Sequence, residues 1–70
     1  MITKEKAIEI ANENASLYYR DLSVYVITVQ ILNDNWKVDY ELKDAHLDGG
    51  GPHYTISGKT GEIIESHFHQ

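Results

Sequence analysis

Trp36-Lys37-Val38-Asp39-Tyr40-Glu41-Leu42-Lys43 alternates apolar and charged residues without a break. A period of two marks a β-strand with one face on a core and the other in water, because successive strand side chains point to opposite faces. Trp36, Val38, Tyr40 and Leu42 are therefore expected on the buried face. Lys37, Asp39, Glu41 and Lys43 are expected on the wet one. Just upstream, Val24 to Leu32 is dense in β-branched residues and reads as a partner strand. An even loop at Asp34-Asn35 pairs Ile31 with Val38, Val29 with Tyr40 and Ile27 with Leu42. That register puts Tyr25, Ile27, Val29 and Ile31 in the core. A three-residue loop without a bulge would bury Thr28 and Gln30 instead.

Towards the C-terminus, Asp44 to Pro52 holds three consecutive glycines before the only proline and reads as a flexible connection. A second hairpin follows, with strands His53 to Ser57 and Glu62 to about His69. Gly58-Lys59-Thr60-Gly61 suits a turn closed by a left-handed glycine bulge at Gly61. This turn is expected to pair Ile56 with Ile64 and Tyr54 with Ser66, and to bring Phe68 to the inner face. Towards the N-terminus, Thr3 is a good helix N-cap, and Ala7, Ile8, Ala11, Ala15 and Tyr18 or Tyr19 recur at helical spacing. The spacing predicts a helix from about Lys4 to Tyr19, its alanines lying close to the sheet while Glu9, Asn12, Glu13 and Asn14 face water. The fold class expected is α+β: one N-terminal helix packed on a four-stranded antiparallel sheet in the order α-β-β-β-β, with the other sheet face open.

Seventy residues leave room for one domain over 1–70, and a chain of this size buries only roughly 60% of its unfolded surface. With no cysteine, neither a disulfide framework nor a thiolate metal site can reinforce it. The net charge of −5, with six Lys and Arg spread along the chain, repels phosphate backbones, so nucleic acid is not an expected partner. No apolar run approaches the ~20 residues that span a bilayer. The opening residues lack the apolar stretch of a secretion signal, and the chain is expected to be cytoplasmic with no membrane partner. The Asn14-Ala15-Ser16 sequon, placed in the helix of an unsecreted chain, is read as coincidence.

Gly58-Lys59-Thr60 resembles the end of a phosphate-binding loop, but that motif needs a glycine where His53 stands and a helix after the threonine. A hairpin turn accounts for it. No serine sits in a nucleophile elbow and no carboxylate has a context that predicts burial, so no catalytic residue and no cofactor is expected. The histidines are the one cluster with metal chemistry. The second hairpin sets His53 opposite His67 with His69 two residues on, and three imidazoles are the minimum of many zinc sites. The bland counterpart is a solvated, titratable face whose protonation below about pH 6 lessens the negative charge and favours self-association. A candidate protein-binding face is the outward set Val24, Val26, Thr28, Gln30, Ile63, Glu65 and His67, which mixes apolar and polar groups.

The opening Ile2-Thr3-Lys4-Glu5-Lys6-Ala7-Ile8-Glu9-Ile10-Ala11 resembles the first helix of PepSY-type domains. The closing segment from Gly49 to Ile64, with its Gly58-Lys59-Thr60-Gly61-Glu62 turn, is similar to the strand, Lys-Thr-Gly-Glu, strand ending of that family. It is similar also to small bacterial immunity proteins of the cystatin-like or nuclear-transport-factor-like type, in which a Trp-containing strand, here Trp36-Lys37-Val38, precedes the glycine stretch. Together the similarities cover most of the chain. They imply a helix-then-sheet fold and no catalytic residues. For function, they imply a non-enzymatic domain that occludes a protein partner such as a toxin or peptidase. The other expectations are a metal-binding or pH-responsive histidine module and a self-associating structural domain, a homodimer formed through the open face or an edge strand.

Overall fold

The computed structural model describes residues 1–44 and 50–68. Helix α1 spans Lys4–Ala15. Thr3 caps it as expected, its side chain accepting from the Lys6 N–H at 3.1 Å, and Glu5 adds a negative charge beside the positive end of the helix dipole. Ala7, Ala11 and Ala15, one turn apart, are completely buried, so the backbone of the helix comes down close to the sheet.

The helix stops four residues before Tyr19. The Ser16 hydroxyl donates to the Glu13 carbonyl at 2.9 Å, and the next amides tighten, Leu17 N–H bonding Asn14 O and Tyr18 N–H bonding Ala15 O. Leu17 is left 74% exposed. Asp21 then starts a single 3-10 turn over Leu22–Val24, accepting from both the amide and the hydroxyl of Ser23. These two bonds hold its carboxyl below the usual range.

Four strands follow: β1 Tyr25–Leu32, β2 Asn35–Leu42, β3 His53–Ser57 and β4 Ile63–His67. They form one antiparallel sheet in the order β1-β2-β3-β4, so the α+β arrangement read from the sequence is the one observed. The first turn sits one residue earlier than expected, on Asn33 and Asp34, both with positive φ of 52° and 63°. Two left-handed residues make the hairpin turn whose twist matches its strands. The pairs become Ile31↔Trp36, Val29↔Val38 and Ile27↔Tyr40, a slide of two residues that keeps every side chain on its expected face. Ile31 nevertheless stays 52% exposed rather than in the core, on a strand that lies at the edge of the sheet.

The second turn forms at Gly58 to Gly61, with Gly61 at φ 79°. Its amide donates to Ser57 O at 2.9 Å, and the Ser57 hydroxyl accepts from the Lys59 and Thr60 amides. A bulge then replaces the expected Ile56–Ile64 pair with Ile56↔Ile63, while Tyr54↔Ser66 and His53↔His67 hold. The extra residue, Ile64, is 51% exposed, and Ile63 packs against the core.

The core joins the three alanines to Val38, Tyr40, Tyr54 and Ile56. Burying a side chain such as Val38 or Ile56 stabilises the fold by about 1.5–3 kcal/mol. Aromatic rings cross the sheet edge to face, Tyr25 to Tyr40 and Tyr40 to Tyr54 at 6.2 Å and Tyr54 to Phe68 at 6.0 Å. The buried tyrosines find acceptors on the helix: Tyr40 donates to Asn12 Oδ1 and Tyr54 to Asn14 Oδ1. These two asparagines are therefore half-buried rather than facing water. Burial pushes both phenols up to about 12. Trp36 Nε1 donates to Ile2 O at 3.1 Å, and Ile2 N–H donates to Gly58 O, which ties the start of the chain to the turn end of the sheet.

The connection from Lys43 to Pro52 ends in packed structure. Pro52 has no amide to give, so Gly51 N–H reaches the Tyr40 carbonyl, and Tyr40 N–H bonds Pro52 O, both at 3.1 Å. A Cβ on Gly51 would lie 2.5 Å from Tyr40 Cβ and 2.9 Å from Tyr25 Cε1. Glycine is needed there for close approach.

Candidate protein-binding face

The face of the sheet turned away from the helix is arranged in rows by the three registers. Thr28 lies opposite Asp39, Asp39 opposite His53, and His53 opposite His67. The adjacent row runs Gln30, Lys37, Thr55, Glu65. Directly opposed side chains in such rows stand about 4.5–5.5 Å apart at Cβ. Asp39 Oδ1 and His53 Nδ1 are 2.7 Å apart and half-buried, whereas the 3.3 Å contact of His67 Nε2 with Glu65 Oε2 is exposed. A shallow depression of about 490 Å³ is lined by Lys37, Asp39, His53, His67 and Phe68.

Of the outward set expected from the sequence, Val24, Val26, Thr28, Gln30, Glu65 and His67 are exposed. Ile63 is not among them. The bulge turns it toward the helix, where it lines a separate cleft with Ile10, Glu13, Asn14 and Leu17. Val24 ends the 3-10 turn and the other five lie on the two edge strands, and the centre of the face is supplied by Lys37, Asp39, His53 and Thr55. Alternation in β2 already pointed Lys37 and Asp39 outward. What the sequence lacked was the register of β2 on β3, set across a long connection that no turn rule governs.

His53 and His67 face each other as the second hairpin requires, and His69 lies outside the described residues. Among the described residues no group of three His, Cys, Asp or Glu is arranged to hold a metal ion. Every buried side-chain nitrogen or oxygen among them has a hydrogen-bond partner. No helix among them is long and apolar enough to cross a membrane. Compared with protein-family models, curated proteins and solved structures, the chain matches none.

Proposed function

We propose that this chain is a non-enzymatic protein-binding domain that occludes its partner with the open sheet face, in the manner of an immunity or inhibitor protein. The observation that carries the reading is the one-sided sheet. The helix covers one face, while the other presents two ordered rows of charged and hydroxylated side chains flanked by Val24 and Val26. An acidic chain of net charge −5 favours a basic partner, whose encounter it steers electrostatically. A toxin or peptidase with a basic surface fits that description.

The test is a pull-down from the native host with micromolar bait, followed by calorimetry on any protein recovered. Reversing Glu41 and Glu65 to lysine changes the charge of the face without touching the core, and should weaken binding at least tenfold, about 1.4 kcal/mol. Equal binding by wild type and variant would show that the partner sits elsewhere and would sink the proposal.

A further inference from the structure

The two edges of the sheet are built differently. β4 is short, carries the bulge at Ile63 and Ile64, and presents Glu65 and His67. Bulges, charges and short length are the devices by which sheet edges avoid pairing with other chains. β1 has none of them. Its eight residues, Tyr-Val-Ile-Thr-Val-Gln-Ile-Leu, contain no charge and no proline, and they pair with β2 in unbroken register. Among the described residues the sheet order gives β1 only β2 as a neighbour.

The direction of its backbone groups follows from one bond. Lys43 N–H donates to Val24 O at 2.9 Å, so Val24 and each second residue after it turn toward β2. In an antiparallel pair the intervening residues point their N–H and C=O the other way. Ile27, Val29 and Ile31 therefore offer their amides and carbonyls along the free edge, and Tyr25 offers its carbonyl alone, its N–H being held by Leu22 O. The bonds of Tyr40 toward Gly51 and Pro52 fit the same alternation one strand over.

We propose that β1 pairs antiparallel with β1 of a second copy, on a two-fold axis through Thr28, joining two sheets into one of twice the width. A self-pairing must set like faces together, which requires odd residues opposite odd ones. Centring on Thr28 places Tyr25 of one copy opposite Ile31 of the other and Ile27 opposite Val29, which engages every outward backbone group that the 3-10 turn leaves available. Centring one residue later leaves Tyr25 opposite the Asn33 turn.

Side chains favour a twin as occupant. On the helix side the paired row is apolar throughout, and it covers Ile31, 52% exposed, and the half-exposed Tyr25, Ile27 and Val29. On the other side Val26 meets Gln30 and Thr28 meets itself. Each copy carries −5, yet no charged side chain of β1 enters the contact, so neutral strands meet while the repelling charges stay outside. Eight residues a side is well under the 20–30 of a standard interface. The dimer is accordingly weak and concentration-dependent, with dissociation in the micromolar range or above.

Sedimentation of the full chain from low micromolar to millimolar concentration should show monomer passing to dimer. Backbone hydrogen exchange identifies the surface: amides of Ile27, Val29 and Ile31 should slow at high concentration, while those of Val26, Thr28 and Gln30 stay protected throughout. Thr28→Lys sets two ammonium groups on the axis but leaves each lysine beside Asp39 of its own sheet. It should fold with unchanged dilute-solution circular dichroism and dimerise at least tenfold more weakly. A monomer at every concentration overturns the proposal. So does a dimer lacking the alternating exchange pattern, which would place self-association on another face.

Discussion

The hydrogen bond from Tyr40 to Asn12 lends itself to a double-mutant cycle, because its two ends sit in unequal surroundings. Tyr40 is completely buried, whereas Asn12 is half-buried at the helix flank. Tyr40→Phe removes the donor and leaves an amide that can turn to water, so the loss should be that of an ordinary hydrogen bond, about 0.5–1.5 kcal/mol. Asn12→Ala does the reverse and strands a hydroxyl among Tyr25, Tyr54 and the alanine stripe. An unpaired buried hydroxyl costs about 1–3 kcal/mol, from which the better helix propensity of alanine returns up to about 0.7 kcal/mol. The double variant has neither group left unsatisfied and should lose less than the two single changes together, with a coupling of about 1 kcal/mol. In a domain of this size 1 kcal/mol moves the melting temperature by about 4–8 °C, well within reach of thermal and urea melts followed by far-UV circular dichroism. Single effects that add to within about 0.3–0.5 kcal/mol, as independent sites do, would refute the contact as the source of the stability.

Two more outcomes follow from the same core. Gly51→Ala inserts a Cβ 2.5 Å from Tyr40 Cβ and should destabilise by about 1–3 kcal/mol, as overpacking of a tight site does; an unchanged urea midpoint would contradict the packing described. Alkaline stability should also decline. Tyr40 and Tyr54 ionise at about 12 in the folded chain against an ordinary 10, so between those values the folded state holds protons that the unfolded state has lost. The stability they confer is complete below pH 10 and fades as pH climbs toward 12, by up to about 1.4 kcal/mol per pH unit for each phenol. Urea midpoints measured from about pH 9 to about pH 11 should fall, and less steeply in Tyr40→Phe; a flat profile would count against burial of the phenols.

The face assignments were legible in the sequence because a period of two admits only two answers. Trp36, Val38, Tyr40 and their cross-strand partners remain on the helix side even though the turn moved by one residue. The turn itself was ambiguous for a chemical reason. Asn33, Asp34 and Asn35 all tolerate left-handed backbone, and either two-residue choice preserves the faces. At Ile63 and Ile64 two identical side chains gave no hint which would turn inward, so a bulge was invisible and Ile63 was assigned to the wrong face. Asn12 and Asn14 were read as solvated because polarity was weighed without knowing that tyrosine hydroxyls would arrive above the sheet. The end of the glycine run was read as loose for a like reason: Gly51 is required by its neighbours, and those neighbours are known only once Tyr25 and Tyr40 have been brought together.

The chain order of the strands matters for how the molecule is made. Each strand pairs with its neighbour in sequence, so the sheet assembles by closing short or moderate loops, a topology associated with rapid folding. The helix is the exception. Twelve residues are marginal as an isolated helix in water, and the acceptor Asn14 meets its donor Tyr54 only 40 positions later. During synthesis the helix thus leaves the ribosome before any of the strands it packs on, an unsettled amphipathic segment waiting for a surface that those strands have yet to provide.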